Sequence, residues 1–171
     1  MIISGKKIRE LMGKDIFIDP FDEQKLNTNS YNLSLNNKLK VYKNSTLDMK
    51  ADNESYEITI PEDGFIIYPN ELYLGTTLEC TYTEKYIPML EGRSSIARLG
   101  IFVHITAGLG EAGFHGRWTL ELTCVKPIRI YPYVNICQIY YQEIAGEIEL
   151  CHSTKYQNSF DASTSQLFKE F

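Results

Sequence analysis

The stretch Glu91-Gly92-Arg93-Ser94-Ser95-Ile96-Ala97-Arg98-Leu99-Gly100 sets two guanidinium groups beside two hydroxyls. Arg93 and Arg98 suit phosphate oxygens, to which a guanidinium makes charge-assisted, two-pronged hydrogen bonds. Ser94 or Ser95 can cap a short helix that Ala97 and Leu99 favour and Gly100 stops. The free N–H groups at such a start attract anions. An ordinary capped turn with two solvated arginines would have the same residues, so both readings stay open. Thr106 to Gly116 follows, with four glycines in eleven residues. That density lets backbone approach a ligand closely, and it equally describes a tight hairpin with Glu111 as a solvated loop charge. Then comes Trp118-Thr119-Leu120-Glu121-Leu122-Thr123. In a strand, Trp118, Leu120 and Leu122 share one face, while Thr119, Glu121 and Thr123 share the other. Glu121 is either exposed on an open face or held in a site, where such a carboxylate serves as a general base.

Metal chemistry finds little support. His104, His115 and His152 form no HxE or HxxxH pair, and Cys80, Cys124, Cys137 and Cys151 are too far apart for a CxxC motif. Zinc is not expected, and the cysteines read as reduced core residues. The 171 residues fit one domain, and 43% hydrophobic with 23% charged residues matches soluble globular proteins. Seventeen basic and twenty-two acidic side chains give a net charge of −5. No general basic surface is available for a nucleic-acid backbone, although a local Arg/Lys cluster can still hold a small anion. No apolar run approaches the roughly 20 residues of a membrane helix. Met1 to Lys14 carries charges throughout, unlike a signal peptide, so the cytoplasm is the expected compartment.

The elements that must position these residues are mostly strands. Twelve Tyr and eight Phe, with many Ile, Val and Thr, favour pleated structure. Ser4 caps a predicted helix over Gly5 to Met12, stopped by Gly13. Ile16 to Ile18 reads as a strand. Tyr31, Leu33 and Leu35 alternate with polar residues, after which Asn36-Asn37 is predicted to turn the chain into Leu39–Val41. Lys43 to Ser55 reads as a surface loop. Further short apolar runs (Ile58–Ile60, Phe65–Tyr68, Leu72–Leu78, Ile101–Ile105, Trp118–Val125, Ile128–Ile130 and Ile136–Tyr141) are punctuated by Gly and Pro, Pro88 among them. Such spacing predicts a sandwich, jelly roll or partly closed barrel. Residues 152–171 read as a polar, docking C-terminal arm on a single domain of 1–171.

The ordered set EGRSSIARLG, VHITAG, EAGFHGRWTLEL and Ile136-Cys137-Gln138-Ile139 resembles the dCTP deaminase branch of the trimeric dUTPase superfamily. Ile3-Ser4-Gly5-Lys6 with Ile8, Asn29 to Leu35, and Lys155-Tyr156 extend the resemblance over nearly the whole chain. It implies a mainly β, distorted jelly-roll or barrel-like homotrimer with active sites between subunits, binding dCTP, dUTP and dTTP. The chemistry implied is zinc-independent, with Mg²⁺ carried on the triphosphate. Glu121 matches the family's general base and proton shuttle, and Ser94 and Arg98 match residues around the reacting water, base and phosphates. Arg93 and Ser95 match triphosphate contacts, Ala107 the small residue beside the pyrimidine, and Gln138 and Lys155 phosphate-binding positions. Ile96, Ala97, Thr119, Leu120, Glu111 and Ser159 complete the implied substrate contacts.

Three departures stand out. Glu111 takes the place of an Asp and follows Gly110 instead of an aliphatic residue. Ser159 stands where a Gln is expected, with His152 roughly where a Tyr would serve. Asn32 replaces an Asp. The expected activity is deamination of dCTP to dUTP and ammonia, the step that GRSSIAR with TLE supports most directly. A bifunctional enzyme carrying dCTP to dUMP and pyrophosphate is the alternative. Thr106-Ala107-Gly108 favours it, and Glu111 weighs against it. A third is a non-catalytic nucleotide sensor on the same fold.

Overall fold

The structure, a computed structural model, describes residues 1–150 and 155–171. Its first element, α1 (Gly5–Leu11), begins where the Ser4 hydroxyl accepts the Lys7 N–H at 3.2 Å, and it buries Ile8 and Leu11. Strands follow: β1 (Phe17–Asp19), β2 (Tyr31–Tyr42), β3 (Ser55–Thr59), β4 (Phe65–Ile67), β5 (Tyr73–Tyr82) and β6 (Tyr86–Gly92). After the single turn α2 (Ser94–Ala97) come β7 (Ile101–Phe102), β8 (His115–Cys124), β9 (Ile128–Ile130) and β10 (Asn135–Glu143). All pairings between these strands are antiparallel. The main sheet runs β6-β10-β2-β5-β8-β7, with β1 added on β5 and β3 on β2, while β4 and β9 pair separately. The result is a nearly closed barrel around Leu33, Leu35, Leu39, Leu120, Leu122, Ile136 and Ile139, each at most 1% exposed. Burial pushes the Cys137 thiol well above its ordinary range, so it stays protonated in the core.

Two expectations are corrected here. Asn36-Asn37 does not turn the chain, because β2 is one continuous strand through Tyr42. Its pairing with β5 shifts register between Leu35 and Leu39. The Asn36 side chain reaches Thr76 Oγ1, and Ile60 N–H donates to Asn37 O, so the two asparagines sit in an irregular stretch of strand. Conversely, β6 contains Pro88, which reads in sequence as a breaker. The strand lies at the sheet edge, where a residue without an N–H is tolerated.

β5 carries the irregularity that matters most. Thr76 pairs with Thr119 and Cys80 with Arg117, so Thr77 to Glu79 bulge opposite Trp118 alone. Glu79, 0% exposed, points inward. It meets Lys25 Nζ at 2.6 Å and accepts the Ser34 N–H at 2.8 Å, while Lys25 Nζ also donates to Ser34 Oγ at 2.7 Å. On the other side, Thr77 Oγ1 accepts the Trp118 N–H and donates to Glu79 O, and Arg117 Nε donates to Leu78 O. Side chains thereby satisfy the groups that the broken ladder leaves free. Glu79→Ala leaves the partly sheltered Lys25 without its buried partner and is expected to cost about 3–5 kcal/mol in urea unfolding; a loss under about 1 kcal/mol, typical of exposed pairs, would show that the pair does not anchor the bulge.

Candidate active site

β8 alternates as its sequence requires. Leu120 and Leu122 are fully buried, while Thr119 and Glu121 face a cleft of about 640 Å³ on the other side. Glu121 is 29% exposed, and its Oε2 lies 2.6 Å from Nδ1 of His104, itself only 11% exposed. With Glu121 ionised the carboxylate accepts, so Nδ1 must carry the proton. His104 Nε2 is buried with no hydrogen-bond partner among the described residues. A carboxylate oriented by an imidazole and open to a cleft has the geometry of a positioned general base.

Ala107, Glu111, Thr119, Glu121, Lys155 and Ser159 all line this cleft. The segment from Lys155 onward forms one wall by lying along β8 of its own chain. Ser159 bridges Gly116, Arg117 N–H donates to Ser159 O at 2.8 Å, and Asn158 N–H donates to His115 O at 2.8 Å. Ser163 N–H donates to Thr119 Oγ1, and Ser159 Oγ meets Ser163 Oγ at 2.9 Å. Gly116 permits this approach: a Cβ there would lie 2.6 Å from Ser159 O, and its φ of +153° is one that side chains disfavour. Lys155 is paired with Glu170 in the same segment.

The other expected site residues lie elsewhere. Leu120 is in the core. Arg93, Ser94, Ser95, Ile96, Ala97, Arg98 and Gln138 do not line the cleft. Arg93 Nη1 donates to Asn135 O at 2.7 Å, and Gln138 ties Ser30 Oγ to Gly92 O. Neither serine caps α2. Arg93 holds the cap position in extended conformation at the end of β6, so the serines fall inside the turn and no side chain caps it. Ser94, Ser95 and Arg98 are exposed, beside the exposed apolar Leu99, Phe102, Ile105 and Val125. His152 lies outside the described residues.

Sequence reasoning missed His104 as a partner of Glu121, having weighed histidines only as metal pairs. The signal available was the apolar surround of His104 in Val103-His104-Ile105, from which a lone imidazole needs a polar partner. It also missed Trp118 as part of the cleft wall, tilted at 38° against Phe114 with 4.3 Å between centroids. Among the described residues no group of three or more His, Cys, Asp or Glu side chains is arranged to hold a metal ion. Nor is any helix among them long and apolar enough to cross a membrane.

Residues 2–144 match the family described as dCTP deaminase-like. Three proteins named "dCTP deaminase, dUMP-forming" are similar over all of this chain and 99% of their own length. They come from Hathewaya histolytica (59% identical), Clostridium acetobutylicum (56%) and Cytophaga hutchinsonii (53%). The crystal structure of 2'-deoxycytidine 5'-triphosphate deaminase from Agrobacterium tumefaciens superposes with a TM-score of 0.67 at 19% identity. It covers 83% of this chain and 48% of that one. Staphylococcus bacteriophage 80alpha dUTPase with dUPNHPP gives a TM-score of 0.50 at 12% identity, over 90% and 93%. The barrel therefore has the dUTPase-like fold. The expectation of dUTP as the end product is overturned, because full-length relatives this similar carry the dUMP-forming name.

Gly116→Val is expected to lift the C-terminal segment from β8. Trypsin should then cut after Lys155 about tenfold faster, the factor that corresponds to about 1.4 kcal/mol of lost docking. An unchanged cleavage rate would mean that the segment is not seated there.

Proposed function

The chain belongs to the dCTP deaminase family, in its dUMP-forming branch, and from that premise we propose that it hydrolyses dCTP twice, to dUMP, pyrophosphate and ammonia. The observation that carries this is Glu121 held by His104 on the wall of a cleft that also presents Ala107, Glu111, Arg117 and Lys155. In the first step water adds its oxygen to C4 of the cytosine ring while Glu121 takes its proton. The C4–amine bond then breaks, and Glu121 returns the proton to the departing ammonia. In the second step water adds to the α-phosphorus, the bond from that phosphorus to the bridging oxygen of the β-phosphate breaks, and pyrophosphate leaves. Glu111 is the carboxylate on hand to orient this second water. Mg²⁺ arrives with the triphosphate as part of the substrate.

Ala107 leaves room for the pyrimidine, Thr119 and Ser159 border the nucleotide, and Lys155 reaches the phosphates once Glu170 releases it. Leu120 contributes through the backbone of β8. Arg93, Ser94, Ser95, Ile96, Ala97, Arg98 and Gln138 serve a neighbouring cleft in a homotrimer with interfacial sites. Support comes from their position outside this chain's own cleft. It comes also from the patch beside α2, where Leu99, Phe102, Ile105 and Val125 are 51–59% exposed. Large apolar side chains left this exposed together mark an interaction surface. The cytoplasm, with its nucleotide pool, is the proposed compartment, and 152–171 the arm of a single domain.

The direct test is incubation with dCTP and Mg²⁺ and chromatography of all products, where dUMP with pyrophosphate is expected and intact dCTP would sink the proposal. Glu121→Gln keeps the shape and removes the base. Ammonia release should fall about 10²–10⁴-fold while dCTP still binds, as loss of a general base predicts. Equal loss of binding and turnover would make Glu121 structural instead. For His104→Ala, kcat should fall about 10²-fold, the scale of a 1 Å misplacement, with KM little changed; a matching rise in KM would reassign His104 to substrate binding.

A further inference from the structure

We propose that Trp118 is the positioning residue for Glu111, and that through Glu111 it determines whether the nucleotide leaves after deamination or continues to pyrophosphate release. This deepens the two-step proposal above and rests on it. Trp118 is anchored at three points. Its backbone N–H donates to Thr77 Oγ1 at 3.0 Å, its indole N–H donates to Thr81 Oγ1 at 2.8 Å, and its ring packs on Phe114. A ring with its one polar group satisfied and its face covered is a rigid wall.

The far end of that ring stands where residue 110 would carry a side chain. A Cβ built on Gly110 lies 2.4 Å from Trp118 Cη2 and 2.9 Å from both Cγ and O of Pro88. Only bare backbone fits between the indole and β6. The segment 108–110 is pressed onto the β6 edge by Leu90 N–H donating to Gly108 O at 2.8 Å and Gly110 N–H donating to Pro88 O at 2.9 Å. On the far side, Phe114 N–H donates to Glu111 O at 3.2 Å. The backbone of Glu111 is held before and after, and its depth beside the cleft is set by the indole. What remains free is the side chain, exposed on the cleft wall with no hydrogen bond or ion pair among the described residues.

Trp118, Gly110 and Glu111 therefore form one unit. The large ring takes the volume that residue 110 gives up, the backbone lies flat against β6, and the longer carboxylate spans the distance to the cleft. The step at stake is the second one, in which the oriented water adds to the α-phosphorus and pyrophosphate departs. A carboxylate misplaced by about 1 Å loses about 10²-fold in such a step, so the intermediate dUTP escapes first.

The test compares wild type, Trp118→Leu, Gly110→Ala and Glu111→Asp, with dCTP and Mg²⁺. The readout is the dUMP-to-dUTP ratio at early times, set against total ammonia. Wild type should give dUMP. Trp118→Leu and Gly110→Ala should each release dUTP, lowering the ratio by about tenfold or more. Glu111→Asp disturbs no packing and should also release dUTP, so the inference stays testable if Gly110→Ala fails to fold. A purely structural role lowers total ammonia and leaves the ratio unmoved, and that result in Trp118→Leu would overturn the inference. A wild-type ratio in Glu111→Asp would overturn it as well. Wild type stopping at dUTP would overturn the two-step proposal itself, and this is read before any variant is made.

Discussion

A carboxylate with no solvent exposure, Glu79, sits inside a β-barrel and is held there by Lys25 and by the Ser34 N–H. Such a group is stable in an apolar interior only while its partners are present. The geometry of the cleft depends on this pairing. Glu79 ends the bulge in β5, and the bulge gives β5 two more residues than β8 between the pairs Thr76–Thr119 and Cys80–Arg117. Because side chains alternate with period 2, an insertion of two leaves the facing of both strands in phase, whereas an insertion of one would invert it. Leu120 and Leu122 stay in the core, and Thr119 and Glu121 stay on the cleft. The same bulge opens the space opposite Trp118 and provides Thr77 to hold it.

Local chemistry was legible in the sequence, and long-range pairing was not. Ser4 as a helix cap and the alternation from Thr119 to Thr123 depend only on neighbours, and the structure has both, while Trp118, expected on the face of Leu120, lines the cleft instead. Pro88 hid β6 because a proline reads as a breaker unless the strand is known to be an edge, which only the sheet order reveals. Asn36-Asn37 looks like a turn until its partners, Thr76 and Ile60, are brought beside it. Likewise the Ser94/Ser95 cap failed because pairing of β6 with β10 through Gly92 fixes Arg93 in extended conformation, one residue ahead of the turn.

The candidate site divides along the same line. Glu121 could be chosen from its strand, but its environment depends on His104, seventeen positions earlier. Glu111 and Gly110 look like separate departures when the sequence is read residue by residue. In space the first follows from the second, and the second from Trp118, which fills the volume next to Gly110. A substitution that looks unfavourable alone can thus be the visible half of a compensated set, with the other half on a different strand.

Two carboxylates on one cleft wall can take different roles where their surroundings differ. Here they do differ. Glu121 is half-sheltered and already engaged by an imidazole, which suits a group that must take a proton from water and give it back to ammonia. Glu111 is exposed and engaged by no side chain among the described residues, which suits a group that need only orient water toward phosphorus. The phosphates meanwhile need cations in a chain whose net charge is −5. Arg117 is committed to Leu78 O and Phe160 O, and Lys155 is paired with Glu170. Exchanging Glu170 for a phosphate at Lys155 keeps that cation paired throughout. In the proposed reaction the exchange at Lys155 is thus of one anion for another, and the exposed Glu170 carboxylate returns to water.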